Sequence, residues 1–425
     1  MKVTYLTMRM PTQTETFAVS DIKELVAAGH TVDVQCLREA YKDSEALLKM
    51  YDLDSIPISH ASMRTVLSLC WSLVASPRFT LSCFTIALRS AKLSPKHLRA
   101  TLLLLPRAIE IVQAIHRSQP DIVHAFWGHY PSLVVLLLRR LGSKIPVTIF
   151  LGAYDLSEDY PITRLVLPEV DGVFTHAQAN VPFLERCGIP PAQVKIVHRG
   201  IPIDDFERLE EGSRSCTQIC TVSALEKSKR VDKVIAAFER ILDRDARATL
   251  LVIGDGPERQ ALESQAAAGP AAHAIRFLGY RARDDVFRQM AASGMFLFLS
   301  EKDSDRLPNV VKEAMYAGCV SIVSNTLGIT ELIPSDAYGL VLTNSDPEYV
   351  AQVVLGLLGR LDRCRCIGEM ARQRIVEHFA SKDSMVSYMK FWQSLRDRQI
   401  DPSGTPSRRR LEDQHQPEAT QFKCD

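Results

Sequence analysis

The chain has 425 residues, of which 46% are hydrophobic and 24% charged, with a formal net charge of +1. That length predicts two domains rather than one, and the neutral balance gives no reason to expect a nucleic-acid partner. Ten cysteines include no Cys-x-x-Cys pair, and Cys216/Cys220 and Cys364/Cys366 lack partners at zinc spacing, so no metal site is expected and free thiols in a reducing cytoplasm are the simplest reading.

The N-terminus, "MKVTYLTMRMPTQTETF", reads as a strand (3–7) and a polar loop, not as a signal peptide. A helix follows over 15–28, ended by Gly29, then a strand over 31–37. Further strands are predicted at 121–126, 146–152, 172–177 and 194–199, with a helix near 131–141. The polar stretch 204–215 reads as a linker. Alternation then resumes with strand 217–223, helix 231–243, strand 249–253 ending in "GDGP", strand 275–279, strand 295–300 and strand 319–324. Helices near 347–361, 366–379 and 383–396 follow, and 400–425 lacks apolar periodicity and reads as disordered. This order predicts two parallel-sheet α/β domains in tandem. No apolar run approaches the ~20 residues of a membrane-spanning helix.

Residues 56–109 depart from the pattern. They include no acidic residue, while Arg64, Arg78, Arg89, Lys92, Lys96, Arg99 and Arg107 punctuate apolar stretches. One reading is an inserted helical pair packed on the first sheet. The other is a basic, apolar surface for the headgroups of an anionic membrane.

Ligands of open α/β sheets bind beyond the carboxyl ends of the strands, where helix N-termini attract phosphate. Three loops of the second half lie at such ends. "SALEKSKRVD" carries Lys227, Lys229 and Arg230. "GDGP" (254–257) has glycines that would let backbone approach a ligand, though it is also an ordinary turn. The third, "SEKDSDRLPNVVKEAMYAGC" (300–319), is a polar loop, then Pro308 in the first turn of a helix that Gly318 ends. Asp303 or Asp305 could cap that helix, and Glu313 could lie on a solvated face. Alternatively, side chains lean toward a helix N-terminus, so Glu313 points back toward Asp305 and the two acids can flank a nucleotide whose phosphates meet Lys229.

These segments carry a resemblance. "SDRLPNVVKEAMYAGCVSIVSNTLGITELI" (304–333) resembles the two acids spaced eight positions apart in family 4 retaining glycosyltransferases. "VSALEKSKRVDKVIAAFERI" (222–241), "LLVIGDGPERQALE" (250–263), "IRFLGYRARDDV" (275–286) and "IVHRGIPIDDF" (196–206) are similar to further segments of that family. "MPTQTETFAVSDIKELVAAGHTVDV" (10–34) resembles the opening of its exopolysaccharide enzymes of the colanic-acid type.

The resemblance implies the GT-B fold, an α/β architecture of two Rossmann-like parallel-sheet domains facing each other across a cleft. It places an acceptor-side domain at 1–203, a donor domain at 204–380 and a helix at 381–399 packing back toward the first domain. It implies transfer of a sugar, with retention, from a UDP- or GDP-linked donor to a glycan acceptor that is lipid-linked, at the cytoplasmic face of the membrane, with no metal cofactor. Asp305 would hold the sugar, Glu313 the ribose hydroxyls and Lys229 the diphosphate. Pro308, Asn309 and Val310 would meet phosphate, and Gly279, Tyr280 and Arg281 the base, with Ser223, Gly254 and Gly256 completing the donor site.

Three residues depart from the family. Asp305 replaces a longer Glu. Ala224 stands where an Arg usually partners the lysine, and Lys227 or Arg230 could compensate. Gly152 stands where a catalytic histidine is frequent; His124 or His129 could serve instead, and each reads equally as an ordinary hydrogen-bonded residue. Two other classes stay open: a sugar-nucleotide-binding protein that has lost catalysis, and a GT-B epimerase.

Overall fold

The computed structural model describes residues 1–12, 16–90, 95–158, 160–206 and 214–400. The expected disordered tail, Lys92 and much of the expected linker lie outside the described residues. The chain forms two compact units: Met1–Pro202 joined by Ala380–Arg396, and a second built on Ile203–Phe379.

In chain order the first unit contains β1 (Lys2–Thr7), α1 (Thr16–Ala27), β2 (Thr31–Cys36), α2 (Ser44–Met50), β3 (Ile58–Ser59), α3 (Met63–Ala75), α4 (Pro77–Ser90), α5 (Pro95–Ser118), β4 (Ile122–Phe126), α6 (Pro131–Arg140), β5 (Val147–Phe150), α7 (Ala153–Glu158), α8 (Pro161–Val166), β6 (Gly172–Thr175), α9 (Val181–Arg186) and β7 (Val194–Ile196). Its sheet has the order β3-β2-β1-β4-β5-β6-β7 and is parallel throughout. Strands β4, β5 and β6 are buried along their whole length, which is why they read as unbroken apolar runs.

The second unit contains β8 (Ser215–Val222), α10 (Val231–Arg244), β9 (Thr249–Ile253), α11 (Arg259–Ala268), β10 (Ile275–Gly279), α12 (Arg283–Ala292), β11 (Ser293–Phe298), α13 (Asn309–Tyr316), β12 (Val320–Ser324), α14 (Ile329–Leu332), β13 (Leu340–Leu342), α15 (Pro347–Leu355) and α16 (Leu361–His378). Its parallel sheet runs β10-β9-β8-β11-β12-β13. Helix α10 shows the governing pattern: Val231, Val234, Ile235, Phe238 and Ile241 recur at helical spacing and are buried against the sheet. The helix expected over 347–361 stops at Leu355, because the chain turns through Gly359 at φ +78° before α16 begins.

The last helix, α17 (Ser381–Ile400), returns to the first unit. Its Tyr388 and Trp392 are buried there; Tyr388 stacks on Phe174 with centroids 4.1 Å apart, and the Trp392 Nε1–H donates to Thr148 Oγ1 at 3.0 Å. Beneath them Arg199 donates to Asp21 at 2.7 Å, and the Tyr5 hydroxyl donates to the same carboxylate at 2.8 Å. Charges this deeply buried persist only when paired.

The region 56–109 is not a helical pair lying on the sheet. It holds three helices, of which α5 is the crossover into β4 and buries Leu105, Ala108, Ile109 and Val112. Helices α3 and α4 pack on α5 and turn on each other by 117°. Their outer faces leave Leu67, Trp71, Val74 and Leu81 more than half exposed, and Leu103 of α5 is exposed beside them. Among the described residues no single helix is long and apolar enough to cross a membrane.

Candidate active site

Strands β8 and β11 are neighbours at the centre of the second sheet, with Met295 beside Ile219 and Phe296 beside Cys220. From β8 the sheet continues through β9 and β10; from β11 it continues the other way through β12 and β13. The loops after β8 and β11 therefore diverge at a topological switch point, the usual place for a ligand in such sheets. One loop carries Lys229 and the other Asp305.

The two side chains meet. Lys229 Nζ donates to Asp305 Oδ2 at 2.5 Å, and the Ser300 hydroxyl donates to the same oxygen at 2.5 Å. Both partners are largely shielded, with 12% and 15% of their side chains exposed. Neither Asp303 nor Asp305 caps α13: Pro308 occupies the N-cap position with φ −61° and ψ 135°, and no side chain bonds to the helix start. The helices on both sides of the switch point are entered through non-glycine residues in the left-handed region, Arg230 at φ 51° and Leu307 at φ 52°. Such conformations cost roughly 1–3 kcal/mol each and gather at ligand sites. The first N–H groups of α13, at Asn309 and Val310, have no partner within the helix and lie beside the Asp305 loop.

Arg230 does not take the place of the missing arginine at Ala224. Its Nε and Nη2 bond Asp232 at 3.0 and 2.9 Å, and its Nη1 bonds both oxygens of Glu301 at 2.9 and 2.8 Å. Lys227 is exposed on the same loop.

Glu313 lies a turn into α13, its side chain 17% exposed, and its Oε1 accepts from Arg283 Nε at 3.2 Å. Burial raises its pKa, and the charges of Arg283 and Lys312 oppose that rise. The two acids are thus held by different cations, Asp305 by Lys229 and Glu313 by Arg283. Arg283 and Ser300 were not singled out in the sequence; nothing marks Arg283 beyond its place at the first position of a helix.

The glycines of "GDGP" sit where backbone meets backbone. A Cβ on Gly254, at φ +135°, would lie 1.9 Å from the Ser223 carbonyl oxygen, and one on Gly256 would lie 2.5 Å from that of Leu225. They let the β9 loop close onto the β8 loop that bears Lys229. Ser223 Oγ is buried there and makes no hydrogen bond. Gly279 ends β10 at φ +68°, and Tyr280 and Arg281 beyond it are exposed, Tyr280 by 74%.

The first unit's candidates separate. His124 is fully buried, its Nδ1 2.9 Å from Thr148 Oγ1 and its ring between Tyr5, Tyr388 and Trp392 at 5.0–5.5 Å. Burial, with the Arg199 charge adding to it, pushes its pKa down to about 3. As a neutral core residue on a strand covered on both faces, it does not reach a substrate. His129 lies past the end of β4 with its side chain 18% exposed and Nδ1 3.4 Å from Asp155 Oδ1. Asp155 also accepts from the backbone N–H of Gly128 at 2.9 Å and of Gly152 at 3.0 Å. At Gly152 the reason for the departure is steric: a Cβ there would lie 2.4 Å from the Trp127 ring. Trp127, itself at φ 77°, fills the space a side chain at 152 would need.

Two surface cavities flank the second unit's switch point. One of about 620 Å³ is lined by Lys227, Ser228, Arg230, Asp232, Glu258 and Glu301, and one of about 280 Å³ by residues such as Ser300, Asp303, Ser324, Thr326 and Asn344. Neither includes Lys229, Asp305 or Glu313, and the ion pairs that fill the rim of the larger one are satisfied by each other.

Residues 14–200 match the family described as Glycosyl transferase 4-like domain, and residues 208–374 match Glycosyl transferases group 1. N-acetyl-alpha-D-glucosaminyl L-malate synthase of Bacillus anthracis is 33% identical over 309 residues, covering 69% of this chain and 80% of that protein. WcaL of Salmonella typhimurium, a glycosyltransferase assigned to colanic acid biosynthesis, is 22% identical over 401 residues, 89% of this chain and 96% of its own length. Among solved structures, HepE of Anabaena in complex with UDP has a TM-score of 0.69 at 16% identity and covers 93% of this chain and 100% of HepE. HepE in complex with UDP-glucose has a TM-score of 0.66. With both Rossmann-like units matched along most of their length, the chain belongs to the group 1 glycosyltransferases of GT-B fold, in the company of exopolysaccharide enzymes.

Proposed function

We propose that this glycosyltransferase moves a hexose, with retention of configuration, from a UDP- or GDP-linked donor to a lipid-linked glycan in the assembly of a bacterial exopolysaccharide or other cell-surface polysaccharide. The observation that carries the reading is the meeting of Lys229 and Asp305 at the β8/β11 switch point, beside the open N-terminus of α13 and with Glu313 one turn further in. HepE, which shares the fold, has been solved with UDP and with UDP-glucose.

In this reading the donor diphosphate lies between Lys229 and the N–H groups of Asn309 and Val310, Glu313 accepts the ribose hydroxyls, and Asp305 faces the sugar. The bond from the sugar's anomeric carbon to the diphosphate breaks. The acceptor hydroxyl oxygen bonds that carbon on the same face, and its proton passes to the departing phosphate oxygen. Lys229 and the helix N-terminus stabilise the developing charge, so no metal cofactor is invoked.

The acceptor side is membrane-bound in the proposal. The exposed Leu67, Trp71, Val74 and Leu81 with Arg78, Arg89 and Arg99, on a segment without acids, suit peripheral attachment to the anionic cytoplasmic face. A second reading, a sugar-nucleotide-binding protein without transfer activity, draws on one observation: Trp127 stands where a side chain at 152 would be. A thermal-shift screen of sugar nucleotides tests the donor site, since a ligand of the folded state raises its stability. Nucleotide release that requires a membrane-derived glycan acceptor separates the transferase from the binding protein.

A further inference from the structure

Arg283 is the first residue of α12, and its guanidinium is held on three sides. Its Nε lies 3.2 Å from Glu313 Oε1, its Nη1 lies 3.9 Å from Asp205 Oδ2, and its centre lies 4.4 Å from the centroid of the Phe206 ring. Phe206 is itself buried and stacks on Phe287, one turn along the same helix, with centroids 4.2 Å apart; Tyr316 of α13 closes the group at 5.6 Å from Phe206. A cation is drawn to an aromatic face by the ring quadrupole. The ring and the two carboxylates together hold the guanidinium where its Nε meets the Glu313 carboxylate.

We propose that Arg283 is a positioning residue for donor binding, holding the Glu313 carboxylate ionised and in one orientation toward the ribose 2′- and 3′-hydroxyls. The inference rests on the reading of Glu313 as the ribose acceptor. A carboxylate accepting two hydroxyl protons must be ionised and must keep an oxygen free. Arg283 engages Oε1 through Nε alone, which leaves Oε2 for the sugar. The charges facing Glu313 are Arg283 from α12 and its own neighbour Lys312 on α13, and both act against the effect of its burial. Lys312 is buried on the other side of α13, beside Asn309 and Phe379, so its charge helps without aiming the carboxylate.

The test is calorimetric binding of UDP and GDP, and of their 2′,3′-dideoxy counterparts, to the wild type, Arg283→Gln and Arg283→Lys, from about pH 8 down to about pH 5. The wild type should prefer its ribonucleotide over the dideoxy form by roughly tenfold or more. Arg283→Gln should lose most of that preference while its affinity for the dideoxy form stays within about twofold, and its ribonucleotide binding should begin to fail at higher pH than in the wild type, because a group that favours the ionised carboxylate is gone. Arg283→Lys should restore most of the preference and pH profile at either nucleotide. An unchanged preference and pH profile in Arg283→Gln overturns the role of Arg283. No preference in the wild type instead overturns the ribose reading of Glu313. If Arg283→Gln fails to fold, Arg283→Lys decides: a folded lysine variant without ribose preference also overturns the proposal, since the ammonium keeps both a donor and a positive charge beside Glu313.

Discussion

Lys229 and Asp305 are bonded to each other at 2.5 Å, so the cation proposed for the diphosphate is paired with the acid proposed for the sugar. The same carboxylate oxygen also accepts from the Ser300 hydroxyl. In the proposed reading, donor binding exchanges one anion for another around the lysine. Asp305→Asn should leave nucleotide affinity unchanged or raise it by up to about tenfold, because Lys229 loses its competing partner. Transfer should fall by about a hundredfold or more, since the sugar loses its acceptor and its alignment. Calorimetry beside acceptor-dependent nucleotide release checks both; a marked loss of nucleotide affinity would show that the pair is needed intact.

Glu313→Ala should weaken nucleotide binding by about ten- to a hundredfold, the worth of hydrogen bonds to a charged group. Its raised pKa gives a paired pH effect. Between the ordinary Glu range and the raised value the folded state binds the extra proton and the unfolded state does not. Folding stability therefore rises as pH falls through that window, while nucleotide binding weakens. Denaturant titrations of wild type and Glu313→Gln across the acid range isolate this contribution; equal pH slopes in the two proteins would discard it.

Gly152→Ala should lower stability by about 1–3 kcal/mol, because the added Cβ would lie 2.4 Å from the Trp127 ring. The cost should shrink sharply in a Trp127→Ala background, where the ring is gone and the space is open. A double-mutant cycle by denaturation measures this, and simple additivity would mean that the contact does not constrain position 152.

How much of this was legible beforehand differs by element. Strand 249–253 stood out because a parallel strand covered on both faces is a continuous apolar run bounded by polar loops, whereas 275–279, at the sheet edge with Arg276 exposed, was marked by its apolar ends and Gly279. The two-residue β3 and three-residue β13 are too short to carry a pattern. In the site, Lys229 and Asp305 were legible because strand ends and helix starts locate the switch-point loops. His124 stayed open between a catalytic and a core reading for the same reason that β4 was found: a strand buried on both faces gives no sign of which way a polar residue points. The partners Arg283 and Ser300, and the ring of Trp127 over Gly152, are contacts through space, and no spacing along the chain encodes them.

The outer face of α3 and α4 should bring the protein down with acidic vesicles and release it in high salt. Replacing Arg78, Arg89 and Arg99 with Gln should weaken sedimentation, and Trp71→Ser should weaken it without changing the salt dependence. All four side chains are exposed, so the variants should stay folded. Equal partitioning onto neutral and acidic vesicles would assign the face to plain packing.

The return of α17 to the first unit orders events during synthesis. The ribosome completes the sheet of that unit by Ile196, but Tyr388 and Trp392, which cover His124, Phe174 and Thr148, emerge only after all of Ile203–Phe379 has been made. A nascent chain therefore carries an aromatic face without its lid for the whole time the second unit is being translated, an interval in which such surface is prone to aggregate or to engage a chaperone. A chain stopped short of Ser381 would keep every residue of the proposed donor site and still lack a finished first unit.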